Sequence, residues 1–299
     1  MGSIHGPVIL ALTCFGSMAQ EAPPDPAQED IVYSEAGGER LTMDFYKPSG
    51  KPPYPVAIIV HGGGFTAGTS RNRSEAYCAD FLAPAGYAVF SINYRLAPRH
   101  PYPAALDDVV AAVRYIRKNA HRWEANPYKI AVIGGSAGGY LSNMMGIRLA
   151  DPESRVQAVV TLFGPSDLRG LSSRENVRVF LADLIRQRGE TDALAEASPI
   201  QRITSTTTPF LLIHGDKDET VPVSHSLLFQ KALQARGISC ELLIIPGGAH
   251  ATGKWHTVHG VPDWEKRMVE WLNKVLRYDG VAGAGIRNRE RAQVVSGNR

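Results

Sequence analysis

The stretch KIAVIGGSAGGYLSNMMGIRL, residues 129–149, decides the fold. Lys129 to Ile133 is an apolar run that reads as a buried strand, and Gly139 to Leu149 reads as the helix after it. Between them the chain passes from strand to helix through Gly134-Gly135-Ser136-Ala137-Gly138. So sharp a turn forces its central residue into a strained backbone conformation. The residues two away on either side must lack side chains, because strand and helix backbones approach closely there. Glycine stands at both places, 134 and 138. The turn pushes the Ser136 hydroxyl out at the strand's C-terminal edge. It also leaves the next backbone N–H groups at a helix N-terminus, where negative charge is stabilised. Ser136 is thus a candidate nucleophile.

Outward from this turn the chain alternates strand-like and helix-like segments, which predicts a mainly parallel sheet with helices on both faces. Ile31 to Tyr46 reads as a hairpin turning at Gly37-Gly38. Tyr54–Val60, Tyr87–Asn93, Val156–Phe163, Phe210–Ile213 and Glu241–Ile245 read as further strands. Helices are predicted over Glu75–Ala83, Pro103–Asn119, Val223–Arg236 and Asp263–Tyr278. In the second of these, Leu106, Val109, Val113 and Ile116 recur at spacings of three and four and lay one apolar face on the sheet. Residues 166–205 break the alternation and read as a small helical insertion, a candidate cap. The catalytic domain is therefore expected over 31–279.

Three loops at strand ends carry the remaining candidates. His61-Gly62-Gly63-Gly64-Phe65 follows the strand Tyr54–Val60. The N–H groups of Gly63 and Gly64, with that of Ala137, can converge on an oxyanion. A phosphate-cradling loop would need a following Lys-Ser/Thr or a G-x-G-x-x-G spacing, and neither is present. His61 reads as a brace for this loop. After Phe210–Ile213 comes HGDKDETVP, residues 214–222, with three competing acids. Asp218 is chosen because it lies past the turn and faces the next loop. Asp216 reads as capping its own backbone turn, and Glu219 as pointing to water. After Glu241–Ile245 comes PGGAH, where His250 stands in the place of a general base. His256 and His259 read as surface or pocket-wall residues, and Asp167 as a structural hydrogen-bonder. Phe65, Phe163 and Trp255 are expected to shape the pocket.

Together HGGGF (61–65), NYRLAP (93–98), YPAALDD (102–108), GGSAGG (134–139), HGDKDETVP (214–222) and GGAH (247–250) resemble bacterial carboxylesterases. The likeness is to the hormone-sensitive-lipase type and to the neighbouring feruloyl- and acetyl-xylan-esterase-like group, over about residues 31–278. It implies an α/β-hydrolase fold and a Ser136–His250–Asp218 triad. It further implies oxyanion donors at Gly63, Gly64 and Ala137, and cofactor-free hydrolysis of short acyl or aryl esters. Two departures, Gly135 where the lipase-type group often has Asp and a leader too short for a helical cap, pull toward the second group. Two other functions stay open: a serine peptidase of the prolyl-oligopeptidase type, and a non-catalytic binding protein on the same scaffold.

Composition narrows the classes further. The chain has 299 residues, 44% hydrophobic and 20% charged, a globular profile. Its formal net charge of +3 resides in residues 280–299, where Arg287, Arg289, Arg291 and Arg299 face only Glu290. That stretch reads as a flexible basic tail, and no basic stripe suggests nucleic acid. Three cysteines without a CxxC pair or a Cys/His cluster suggest no metal site. Cys78 and Cys240 can form a disulfide or remain buried thiols. The apolar run Pro7–Phe15 is too short to span a bilayer. With Ser17-Met18-Ala19 and the acid- and proline-rich Glu21–Asp30 it reads as a signal peptide and leader, despite lacking Lys or Arg before it. That pattern predicts export to the periplasm or medium without a stable membrane anchor, the alternative being a disordered leader on a cytoplasmic protein. Cys14 follows Thr13 where a lipoprotein site usually has Gly or Ala.

Overall fold

The structure is a computed structural model that describes residues 25–147, 151–257 and 263–279. The expectations for the signal-like leader, Cys14, His259, the end of the helix at Leu149 and the basic tail concern positions outside these residues.

Eight strands form one sheet in the order β1-β2-β4-β3-β5-β6-β7-β8. They are β1 Gln28–Ala36, β2 Glu39–Tyr46, β3 Tyr54–Val60, β4 Ala88–Ile92, β5 Ala125–Gly135, β6 Ala158–Leu162, β7 Phe210–Gly215 and β8 Cys240–Ile245. β1, β2 and β4 pair antiparallel, and every pairing from β4 through β8 is parallel. The β1–β2 hairpin turns at Gly37 and Gly38, both with positive φ (58° and 78°), the backbone that a two-residue hairpin loop requires. β1 begins three residues earlier than the hydrophobic pattern suggests, at Gln28, whose side chain accepts from the Trp123 indole.

Nine helices accompany the sheet among the described residues: α1 Arg73–Ala76, α2 Ala79–Leu82, α3 Ala104–Lys118, α4 Ala137–Ile147, α5 Glu175–Phe180, α6 Ala182–Arg188, α7 Glu190–Glu196, α8 Ser224–Gln234 and α9 Trp264–Leu276. The helix expected over 75–83 is two short ones. Hydrogen bonds of i→i−3 type, Cys78 N–H to Glu75 O and Asp80 N–H to Tyr77 O, tighten the chain between them. The 166–205 segment is helical and holds α5, α6 and α7.

Period-two alternation builds a core on each face. Val56, Ile58 and Val60 of β3, with Ile130 and Val132 of β5, meet α3, α4 and α8. Ala57, Ile59, Ala131 and Ile133 face the other way, toward α2 and the Trp264, Trp271 and Leu272 stripe of α9. Cys78 and Cys240 are buried free thiols, so the disulfide alternative falls. Burial pushes the Cys240 thiol up to about 12 and the Cys78 thiol well above its ordinary value. No helix of the described residues is long and apolar enough to cross a membrane.

The strand–helix turn is as tight as the glycines suggest. A Cβ on Gly138 would lie 2.1 Å from the Val60 carbonyl oxygen, and one on Gly134 would lie 2.3 Å from the Gly138 oxygen. Backbone cannot yield as a side-chain tip can. Gly138→Ala should therefore lower stability by about 3 kcal/mol, the upper end for overpacking, at about 2–4 °C per kcal/mol in a domain of this size. A thermal melt checks this.

Candidate active site

β5 delivers Ser136 at φ 54°, a backbone region that serine rarely occupies. Two bonds hold it there: its own N–H to Leu162 O (3.0 Å), and its carbonyl accepting the Tyr140 N–H of α4 (3.0 Å). β7 ends at Gly215, and Asp218 follows within the loop. β8 ends at Ile245, and His250 follows five residues on. These two loops converge on Ser136. His250 Nε2 stands 3.0 Å from Ser136 Oγ, and His250 Nδ1 stands 2.7 Å from Asp218 Oδ2. The three side chains form one hydrogen-bonded chain.

The Asp218 carboxyl is fully buried. Burial alone would raise its pKa. Hydrogen bonds from His214, His250 and the Val221 N–H outweigh burial and hold it well below the usual carboxylate range. The second oxygen accepts the N–H groups of Thr220 (2.9 Å) and Val221 (2.8 Å). An ionised carboxylate fixed on one side leaves the other free to set the His250 tautomer, with a proton on Nδ1 and Nε2 open to accept.

Asp216 differs from expectation. Rather than capping its own turn, its Oδ1 accepts the Gly247 N–H (2.7 Å) and ties the acid loop to the His250 loop. Glu219 is exposed. Asp167 takes Arg169 in a bidentate pair (2.9 and 2.6 Å) and caps the turn after β6. His61 braces its loop through Nδ1 and Gly62 O (2.7 Å) and stacks on Tyr94 at 4.1 Å. Burial pushes its imidazole down to about 4, so it stays neutral near pH 7.

A cavity of about 310 Å³ opens above the serine. Gly63, Gly64 and Ala137 line it, and none of the turn and loop hydrogen bonds among the described residues uses their N–H groups. Gly63 and Gly64 have φ of 110° and 61°, values that suit glycine. The insertion supplies one wall through Leu171, Arg174, Asn176 and Val177. Asn176 Nδ2 donates to Gly64 O (3.2 Å) and so fastens the insertion to the glycine loop.

Phe65 and Phe163 line the cavity, as expected, but Trp255 does not. Trp255 is wholly buried behind Phe163, edge-on at 5.5 Å, and its indole donates to Ala249 O (2.9 Å). Its place is to support the His250 loop. Phe65 in turn stacks on Phe180 of α5 at 3.9 Å.

Two residues escaped sequence reasoning. His214, at the end of β7, lies under the acid, with Nε2 3.2 Å from Asp218 Oδ2 and 2.8 Å from Val221 O. Glu75 of α1 lines the cavity although it is buried. Only the H-G opening of HGDKDETVP hinted at the first, and nothing local hinted at the second. Among the described residues no three His, Cys, Asp or Glu side chains cluster as metal ligands would.

The BD-FAE family matches residues 43–233. This chain belongs to that family. Its fold is that of the α/β-hydrolases. The esterase LipC of Mycobacterium tuberculosis is 33% identical over 236 residues, 74% of this chain and 58% of LipC. The chain spans about half the length of the first such curated relatives. Among solved structures, a truncated carbohydrate esterase from gut microbiota is 26% identical with a TM-score of 0.72, covering 86% of this chain and all of the other. An acetyl ester-xyloside bifunctional hydrolase from Caldicellulosiruptor lactoaceticus is similar at 26% identity and TM-score 0.72, covering 85% of this chain and 98% of the other.

If Asp218 orients His250, its amide variant must lose nucleophile activation. Asp218→Asn should slow the labelling of Ser136 by a fluorophosphonate on the order of 10³–10⁴-fold, the cost of a wrong imidazole tautomer. Asp216→Asn should label at a rate close to that of the parent. Stopped-flow labelling distinguishes the two acids.

Proposed function

We propose that this protein is a serine carboxylesterase acting on short acyl or aryl esters, with Ser136 as nucleophile, His250 as general base and Asp218 as its orienting acid. One observation carries the reading. Ser136, His250 and Asp218 form an unbroken hydrogen-bonded chain, at 3.0 and 2.7 Å, whose serine end opens on a small cavity.

The chemistry follows from that geometry. Ser136 Oγ attacks the ester carbonyl carbon as its proton passes to His250 Nε2. The negative charge that develops on the carbonyl oxygen is met by the N–H groups of Gly63, Gly64 and Ala137, each such donor contributing about 2.7–4 kcal/mol to the transition state. The tetrahedral intermediate collapses, the C–O bond to the alcohol breaks, and His250 returns the proton to the departing oxygen. Water, deprotonated by His250, then releases the acid from the acyl-enzyme.

A cavity of about 310 Å³ suits a short acyl group, being at the lower end of ligand pockets, which run to roughly 1,000 Å³. Phe65 lines the cavity, with Phe180 stacked on it at 3.9 Å. The carbohydrate esterase and the acetyl ester-xyloside hydrolase among the similar structures support an acetylated carbohydrate as the natural substrate class, and the motif resemblance adds feruloyl esters of plant polysaccharides as the companion class. The signal-like leader supports action outside the cytoplasm. Relatives named as esterases favour this reading over the peptidase one.

Nitrophenyl esters from acetate to decanoate, with methyl ferulate, acetylated xylan and a proline-peptide anilide beside them, test it. Acetate and butyrate should turn over fastest, the anilide should not be cleaved, and Ser136→Ala should abolish turnover. A preference for decanoate or cleavage of the anilide would overturn the substrate reading.

A further inference from the structure

Glu75 is a buried acid at the floor of the site that the mechanism above leaves unused. It is 2% exposed and lines the cavity beside Ser136, Ala137, Phe163 and His250. α1 delivers it across the chain from the nucleophile turn. Its Oε1 would be 2.5 Å from a Cβ on Gly135 and 3.2 Å from a Cβ on Gly62, while that same Gly62 Cβ would stand 3.4 Å from the Ser136 Cβ. The carboxyl therefore fills the space left by the missing side chains of both glycines, one before the nucleophile and one in the loop that precedes Gly63. The Ser74 hydroxyl donates to Oε2 (2.5 Å), and the Gly62 backbone beside the carboxyl favours its ionised form. Ser74 is itself fixed, its carbonyl accepting the Thr252 hydroxyl (3.0 Å) from the segment after His250.

We propose that Glu75 is a positioning residue for the reaction at Ser136, a second carboxylate whose negative charge favours the imidazolium that forms on His250 when the serine gives up its proton. This rests on the nucleophile and base assigned above. Asp218 meets the Nδ1 edge of the ring, and Glu75 acts from the cavity floor through the field across the site. The carboxyl and His250 are close enough for the charge on the imidazole to favour ionisation of the acid. The same coupling, by reciprocity, lets the ionised acid favour the charged imidazole.

The effect must switch with pH. Burial pushes Glu75 up to about 7, against the opposing pull of Ser74, the Gly62 backbone and His250. Cys78 and Tyr94 face it from the rest of α1's surroundings, and burial pushes both far above their ordinary values. His61, on the Gly62 loop, is pushed down to about 4 by burial. Across pH 5.5–8.5 the local charge therefore changes at Glu75. Below the Glu75 midpoint the acid is neutral and the parent enzyme equals an amide variant. Above it the parent carries a charge that the variant lacks.

The test is the second-order rate of Ser136 labelling by a fluorophosphonate, measured from pH 5.5 to 8.5 in the parent and in Glu75→Gln. In this reaction the serine oxygen bonds to phosphorus, fluoride leaves and His250 takes the proton. It needs no carboxylic ester, so failure of the ester panel and failure of this proposal are separate outcomes. The parent-to-variant ratio should be near one at pH 5.5 and rise to about tenfold at pH 8.5, a factor equivalent to about 1.4 kcal/mol. Glu75→Asp should restore part of the rise. Ser74→Ala removes a donor to the ionised form and should move the rise in the labelling rate to higher pH, a readout that holds even if Glu75→Gln fails to fold. A ratio that is flat with pH, at one or at a uniform loss, together with an unmoved profile in Ser74→Ala, would overturn the proposal and leave Glu75 a packing group.

Discussion

The site depends on one close approach of backbone to backbone. α4 starts against the end of β3, with the Gly138 α-carbon so near the Val60 carbonyl that a methyl group would overlap it. That contact sets where the helix begins, and the helix start sets the Ser136 backbone at φ 54°. A strained residue persists only when its surroundings over-determine it. Here the Leu162 carbonyl of β6 and the Tyr140 N–H of α4 hold it from two sides. The same contact brings the Gly62–Gly64 loop, which leaves β3 just after Val60, to the N-terminus of α4. One packing constraint thus positions both Ser136 and the N–H groups of Gly63, Gly64 and Ala137 beside it.

The second dependence is electrostatic. Asp218 is buried, and a buried carboxylate without partners would take up a proton and lose its hold on His250. The loop prevents this by folding its own backbone onto the acid, through the Thr220 and Val221 N–H groups, while His214 approaches from β7. His214 is in turn held by the Ser226 hydroxyl of α8 at 2.7 Å. The acid is therefore supported by elements on both sides of its loop, and Asp216 ties that loop to the base loop through Gly247.

Much of this was legible in the sequence, because it is written in backbone chemistry. Glycines at 134 and 138 announce a close approach, the run of glycines after His61 announces a backbone open to a ligand, and Asp218 and His250 follow two later strands in order. The continuous apolar run Tyr54–Val60, suited to a strand buried on both faces, coincides with β3. What could not be read was side-chain direction across long separations. Trp255 is expected to shape the pocket, yet its 3₁₀ turn carries it behind Phe163. Asp216 looked local because aspartates in turns often bond their own backbone, yet its partner lies on the neighbouring strand's loop. Glu75 lies 61 positions from Ser136 on a one-turn helix. No periodicity in so short an element can say that its carboxyl enters the space above two glycines.

The two carboxyl groups near His250 illustrate how environment divides the work of one chemical group. Asp218 and Glu75 are both buried, and for each burial opposes ionisation. The outcomes differ because of what surrounds them. Asp218 accepts two backbone N–H groups and faces two imidazoles, enough to keep it charged throughout the neutral range. Glu75 accepts the Ser74 hydroxyl, with weaker help from nearby backbone, and burial pushes it up to about 7. The acid that must never change state is the one hydrogen-bonded most fully, and the acid left under-solvated lies where the absent side chains of Gly135 and Gly62 make room for it. The glycines that permit the turn therefore also admit a titratable group to the floor of the site. A larger residue at position 135 would exclude that carboxyl and alter the field at His250 without touching any of the three hydrogen-bonded side chains.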